Sequence, residues 1–181
     1  IMGCYAGHLM TDTCSNVVLG LRAGCNVGTG DWNVFLGHYA GRGCAADPTA
    51  NTAAGNVALG RSAGCELTTG TYNSLFGAGA GRNIMGGGYN TALGLNAGCN
   101  ITSGSGNVTI GYNTTVASAT GDKQFKIGYD SNWWICGDSS FNVYDKDGNA
   151  FGFGPDADEN LKAGTDAGKC LDGTNACYNV L

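Results

Sequence analysis

The chain has 181 residues, a net charge of −5 and only 13 % charged residues. An acidic balance with no Lys/Arg run excludes the basic footprint that nucleic-acid binding needs, and no apolar stretch reaches the ~18 residues of a membrane span. Glycine (33 residues) stands far above its usual share of about 7 %, which would suit a flexible linker, but linkers carry no apolar register and this chain has one.

From the N-terminus, asparagine recurs at Asn16, Asn33, Asn56, Asn73, Asn90 and Asn107. A glycine stands four residues after each: Gly20, Gly37, Gly60, Gly77, Gly94 and Gly111. Ala-Gly follows at Ala23-Gly24, Ala40-Gly41, Ala63-Gly64, Ala80-Gly81 and Ala97-Gly98. The period is 17 residues, with one step of 23, so one coil carries a six-residue insertion. A fixed period of this length predicts a stacked solenoid. Ile1-Met2-Gly3 aligns with Val18-Leu19-Gly20, and Asn179-Val180-Leu181 open a further unit. The chain therefore reads as a segment of a longer polypeptide.

Within a unit, the third residue after each asparagine is large and apolar (Leu19, Leu36, Leu59, Phe76, Leu93, Ile110). It shares a strand face with the first (Val17, Val34, Val57), since strand side chains alternate. These two sites are expected to form the core. The site between them (Val18, Phe35, Ala58, Leu75) is expected to face other copies of the chain. Helix is excluded by several glycines per unit and by the lack of a 3.6-residue stripe. Ala-Gly is expected to form a second short strand, and Thr68-Thr69-Gly70 and Thr102-Ser103-Gly104 to turn. Stacked coils about 4.8 Å apart would let the asparagines hydrogen-bond from coil to coil, as in other side-chain ladders.

The repeat spans 1–113. Residues 114–159 break the period, hold two of the three tryptophans (Trp133, Trp134), and predict a β-rich neck or insert. Phe141-Asn142-Val143-Tyr144 and Ala150-Phe151-Gly152-Phe153 flank Asp145–Asn149 as a hairpin would. Asn160, Gly164 and Ala167-Gly168 restore the register, so 160–181 is expected to begin a second roll. A coil of this kind buries about three apolar side chains per 17 residues. That is thin against roughly 1–2 kcal/mol of backbone entropy per residue, and it predicts an obligate oligomer.

Asn90-Thr91-Ala92-Leu93-Gly94-Leu95-Asn96-Ala97-Gly98, with its Thr-Ser-Gly turn following, resembles the head repeats of trimeric autotransporter adhesins. It is more similar still to repeats of phage and algal-virus tail-fibre-like proteins. Gln124-Phe125-Lys126-Ile127-Gly128 and Gly137-Asp138-Ser139-Ser140-Phe141-Asn142 resemble the stretch that follows such repeats in fibre proteins. The resemblance covers 1–113 and again 160–181. It implies a trimeric, left-handed parallel β-roll in a virion or cell-surface fibre. The long units and nine cysteines depart from the autotransporter pattern and favour the viral relatives.

Candidates for chemistry are few. Asp145-x-Asp147-x-Asn149 has the opening spacing of a calcium loop, but Ala150 stands where glycine is needed, so a plain turn is the simpler reading. No Cys-x-x-Cys exists, and two histidines do not make a zinc site. Hence no metal, cofactor or catalytic residue is assigned. Cys25, Cys65 and Cys99 share one column, which reads His8, Cys25, Arg42, Cys65, Arg82, Cys99. Two coils, about 9.6 Å, are too far for a disulfide. The remaining candidate pairs are Cys4–Cys14, Cys170–Cys177, and Cys44 with Cys25 or Cys65. Among the Asn-x-Thr sites, Asn107 belongs to the ladder and is expected to be buried, leaving Asn100 as the better glycosylation candidate.

The function expected is a structural fibre segment of a viral appendage, homotrimeric, displaying a tip to a host receptor or glycan, with no nucleic acid and no membrane insertion. A non-viral cell-surface adhesin or extracellular filament is the alternative. A polysaccharide-cleaving tailspike would need paired carboxylates on a groove, and Asp31, Asp47 and Glu66 are scattered.

Overall fold

The computed structural model of the chain describes residues 2–11, 13–44, 51–140 and 142–148. These are all-β: nine strands form one sheet, and no helix occurs among the described residues. Each repeat gives one short strand directly after its ladder asparagine. These are β1 (Val17–Leu19), β2 (Val34–Leu36), β3 (Val57–Leu59), β4 (Ser74–Phe76), β5 (Thr91–Leu93) and β6 (Val108–Tyr112). Each pairs in parallel with the next, residue for residue, so Val18 lies beside Phe35 and Phe35 beside Ala58. The result is a β-solenoid of 17-residue coils. Register survives the insertion. Asn26 N–H donates to the Arg42 carbonyl, and Gly28, two residues on, donates to Asn51. The inserted residues 45–50 lie outside the described residues.

The inside and outside of the strand are the reverse of the sequence expectation. Val18, Phe35, Ala58, Leu75, Ala92 and Thr109, the middle residues, are buried, whereas Val17, Leu19, Phe76 and Leu93 are exposed. A three-residue strand turns one side chain to one face and two to the other. The coil is too narrow to enclose the larger set. Two further columns fill it from the other walls: Ala23, Ala40, Ala63, Ala80 and Ala97, and then Val27, Leu67, Ile84 and Ile101. The third column was not read from the sequence, because it lies in the Cys-Glu-Leu-Thr stretch that looked like turn.

Ala-Gly is not a second strand either. Ala23 N–H donates to the Gly20 carbonyl, and Arg22 and Gly24 have φ of 54° and 53°. Left-handed residues on both sides of the alanine curl the chain instead of extending it. These turns still stack, Gly24 N–H on the Ala40 carbonyl and Gly64 N–H on that of Ala80, both at 2.9 Å. The glycine ending each strand has a separate reason. Gly60 has φ +133°, and a Cβ there would lie 2.6 Å from the backbone of Gly77 one coil on. Only glycine accepts both conditions.

The parallel stack runs past residue 113. β6 pairs in parallel with β7 (Phe125–Tyr129), Ile110 beside Ile127 and Gly111 beside Gly128. Gln124 occupies the ladder position, its N–H donating to Asn107 Oδ1 at 2.9 Å, while its own Oε1 accepts from Ser118 N–H at 2.9 Å. The Thr114 carbonyl accepts from Gly98 N–H as the alanine of earlier coils does. The sequence pattern breaks here because Gln replaces Asn and Thr replaces Ala, yet the backbone path persists.

After this coil the sheet turns antiparallel. β7 pairs with β8 (Asn132–Gly137), and β8 with β9 (Val143–Asp145). This meander is the β-rich segment expected after the repeats, starting about one coil later. The described pairing of Val143–Asp145 is with β8; the other expected hairpin arm, 150–153, lies outside the described residues, as does the second roll at 160–181.

Candidate functional site

Asn33, Asn56, Asn73, Asn90 and Asn107 are fully buried. Asn56 Oδ1 accepts from the backbone N–H of Asn73 at 3.0 Å and from its Nδ2 at 2.9 Å, and Asn73 Nδ2 also donates to the Gly87 carbonyl at 2.9 Å. The same bonding recurs through Asn90 and Asn107, and Asn16 opens the ladder by accepting from Asn33 N–H at 2.7 Å. Gly20, Gly37, Gly60, Gly77, Gly94 and Gly111 share φ values between 119° and 135°. The ladder satisfies the polar groups of these buried amides from coil to coil.

The outer sheet face is largely apolar, with Ser74 and Thr91 as the polar positions of its first column. Leu19, Leu36, Leu59, Phe76, Leu93 and Ile110 form one column up the stack, each exposed or half-buried, with the column of Val17 beside it. Leu93 is 50 % and Val17 54 % exposed.

Basic side chains gather at the turns after the strands of the early coils. The four arginines, Arg22, Arg42, Arg61 and Arg82, and both histidines, His8 and His38, all lie there. In the first three coils they meet aromatic rings. Arg22 lies 5.6 Å from the Tyr5 ring centroid and 6.0 Å from that of Tyr39, and Arg42 lies 5.3 Å from Tyr39. His38 stacks on Tyr39 at 4.0 Å. A groove of about 390 Å³ opens here, lined by Tyr5, His8, Arg22, Cys25, Asn26 and Arg42. Glu66 is 3.8 Å from Arg42 Nη2. Arg42 Nε is buried and has no hydrogen-bond partner among the described residues. The sequence signal for this groove was present but unused: Tyr5, Arg22 and Tyr39 stand one period apart.

The opposite corner carries a second aromatic column. Trp32, Tyr72 and Tyr89 are exposed, with Tyr72 and Tyr89 stacked at 5.3 Å. A second cavity, about 290 Å³, lies where the roll meets the meander, among Phe125, Lys126, Trp133, Asp138 and Tyr144. Asp138 accepts from Asn142 Nδ2, from the N–H groups of Asn142 and Ser140, and from the Tyr144 hydroxyl. These donors, the Asn142 side chain foremost, hold its carboxyl below the ordinary range.

The thiols are unpaired among the described residues. Cys4 and Cys14 are free and exposed; Cys25, Cys44, Cys65, Cys99 and Cys136 are also free. The Cys4–Cys14 pair is not formed. Cys4 follows the strand of its coil and Cys14 precedes the next one, bonded through its N–H to Asp31. The length of the coil separates them. Cys44 joins neither Cys25 nor Cys65, and Cys170 and Cys177 lie outside the described residues. Burial pushes the Cys25 and Cys65 thiols up from their ordinary value, so both are neutral at neutral pH.

Asp31 caps the Cys14 N–H while Glu66 faces Arg42, on different corners of the coil, and Asp47 lies outside the described residues. No carboxylate pair for glycoside chemistry is assembled from them. Asp145 forms a turn, its Oδ1 accepting from Asp147 N–H at 2.9 Å, and no metal-holding group of His, Cys, Asp or Glu occurs among the described residues. Asn100 uses its Nδ2 to hold the Val116 carbonyl at 2.8 Å, so the expected glycosylation site is engaged within the fold. No helix among the described residues is long and apolar enough to cross a membrane.

Comparison with known protein families, with curated proteins and with solved structures finds no match.

Proposed function

We propose that this chain is a structural and adhesive segment of a virion fibre, working as a homotrimer. The outer apolar column carries the reading. One monomer leaves Val17, Leu19, Phe76 and Leu93 in water, and covering apolar surface is favoured by about 25 cal/mol per Å². The column runs along the stack with one large residue per coil. An identical column on another copy can therefore match it coil for coil. Three copies around one axis cover every such face without leaving an open end, as closed symmetry requires. The interior adds to the argument: each coil buries an alanine and only one or two larger apolar side chains, such as Leu75 and Ile84, so a lone stack has a thin core.

The same roll would serve a non-viral surface adhesin or extracellular filament; the similarity of Asn90–Gly98 and its turn to tail-fibre repeats favours the virion. The deciding measurement is the solution mass of the native chain, by light scattering or native mass spectrometry. Three chains per particle are expected. A folded, stable monomer would sink the proposal.

A further inference from the structure

We propose that the groove lined by Tyr5, His8, Arg22 and Arg42 binds an acidic polysaccharide, one carrying carboxylate or sulfate groups. The inference rests on the adhesive reading above and names its ligand class.

The charge distribution comes first. The chain is net negative at −5, yet all four of its arginines stand in one turn of the coil. Arg22 and Arg42 sit in neighbouring coils and line one groove. Glu66 lies 3.8 Å from Arg42 alone, so the groove wall carries two guanidiniums against one carboxylate. An anionic ligand would complement that excess.

The hydrogen-bond state comes next. Each guanidinium has five N–H donors in a planar fork that matches a carboxylate or sulfate. Arg22 donates one long bond, 3.5 Å, to the Tyr39 hydroxyl. Arg42 Nε is buried without a partner among the described residues. A buried donor in this state costs about 1–3 kcal/mol, and an acceptor placed in the groove would draw the guanidinium into a satisfied geometry. The forks are also held in place before any ligand arrives. Tyr5 and Tyr39 flank Arg22, and Tyr39 backs Arg42. This spares much of the side-chain entropy that binding otherwise costs.

The aromatic rings decide between a sugar and a single-stranded nucleic acid. Nucleic acid of that kind binds by stacking bases on free aromatic faces. Here the rings are already engaged, Tyr39 by His38 at 4.0 Å and by both arginines, and Tyr5 by His8 edge-on and by Arg22. What the groove offers beyond its guanidiniums is small polar groups: the Tyr5 hydroxyl, the His8 imidazole and the Asn26 amide. These suit sugar hydroxyls. The lining comes from three successive coils, so a linear chain lying on it would touch more than one coil.

The test uses the native chain and two variants. Binding to dextran sulfate and to alginate is measured by biolayer interferometry, with neutral dextran and single-stranded DNA as comparison probes. The solution mass is recorded on the same samples. The native chain is expected to bind one or both acidic polysaccharides and not neutral dextran. Arg22→Gln with Arg42→Gln should weaken that binding at least tenfold. Tyr72→Ala with Tyr89→Ala, on the opposite corner, should leave it unchanged. Sulfate selectivity over carboxylate, or the reverse, identifies the acid. The inference is overturned if neither acidic polymer binds, if DNA binds as tightly, or if the Tyr72/Tyr89 variant loses binding while the arginine variant keeps it. Failure here with a trimeric mass leaves the fibre reading standing; a monomeric mass removes that reading independently.

Discussion

Asn73 Oδ1 accepts two hydrogen bonds from Asn90, one from its backbone N–H and one from its Nδ2, both at 3.0 Å. One side-chain oxygen thus satisfies two buried donors of the next coil. Asn73→Ala strands both, and each unsatisfied buried group costs about 1–3 kcal/mol. Asn73→Asp keeps the acceptor but turns a carboxylate toward Asn56 Oδ1 and the Gly87 carbonyl, which now receive donors from Nδ2. Both variants should melt earlier by circular dichroism, the aspartate more so at neutral pH. An unchanged melting temperature would show the ladder to be dispensable.

Gly60→Ala addresses the strand ends. Its Cβ would meet the Gly77 backbone at 2.6 Å in a conformation of φ +133°. Strain of this kind costs about 1–3 kcal/mol before any steric shift, so the expected loss is larger than for an alanine placed at an exposed turn residue such as Arg61→Ala. Chemical denaturation of the two variants side by side checks the difference.

Inner and outer strand positions should separate in their effects. Phe35→Ala empties a fully buried site and should cost about 3–5 kcal/mol. Leu93→Glu changes a residue that is 50 % exposed; the coil should keep its circular dichroism spectrum while the particle mass falls. If Leu93→Glu leaves the mass unaltered, the outer column is not the contact surface.

Thiol reactivity should follow burial. Iodoacetamide at pH 8 should label exposed Cys4 and Cys14 well before Cys25 and Cys65, whose buried thiols are held protonated above the ordinary value of 9.0. The sign for stability follows. The unfolded chain loses these protons near pH 9.0 and the folded chain loses them later. Stability is therefore full below pH 9.0 and falls as pH rises through the folded values. Mass spectrometry of tryptic peptides reads the labelling order.

Asp138 gives the opposite dependence. Its carboxyl is held below 3.8, chiefly by the Asn142 side chain. A lowered value contributes stability above the unfolded pKa and loses it as pH falls through the folded one. Amide exchange at Asn142 should quicken below pH 3.8, and Asp138→Asn should make it fast at every pH.

The repeat made the fold legible. Asn, Gly and Ala-Gly are each demanded by backbone bonds or close approach, and those demands recur at one period. The inside of the strand was not legible, because Val17, Val18 and Leu19 are all apolar and hydropathy alone cannot say which of three such neighbours points inward. Gln124 was missed because the ladder needs an amide, not an asparagine, and a longer one serves. The groove of Arg22 and Arg42 was missed for a different reason. Its residues come from two columns, Tyr5-Arg22-Tyr39 and His8-Cys25-Arg42, and neither keeps one residue type, so periodicity averages them away.

Gln124 also ends the ladder. Every ladder asparagine from Asn16 to Asn107 offers its oxygen to the coil that follows, whereas the Gln124 oxygen is occupied by Ser118 of its own coil. The ladder therefore has a polarity and a last rung. Among the described residues the coil above that rung gives way to β8, which pairs antiparallel with β7 along the edge a further parallel coil would use. One added methylene thus stands where the backbone changes from stacking to meander.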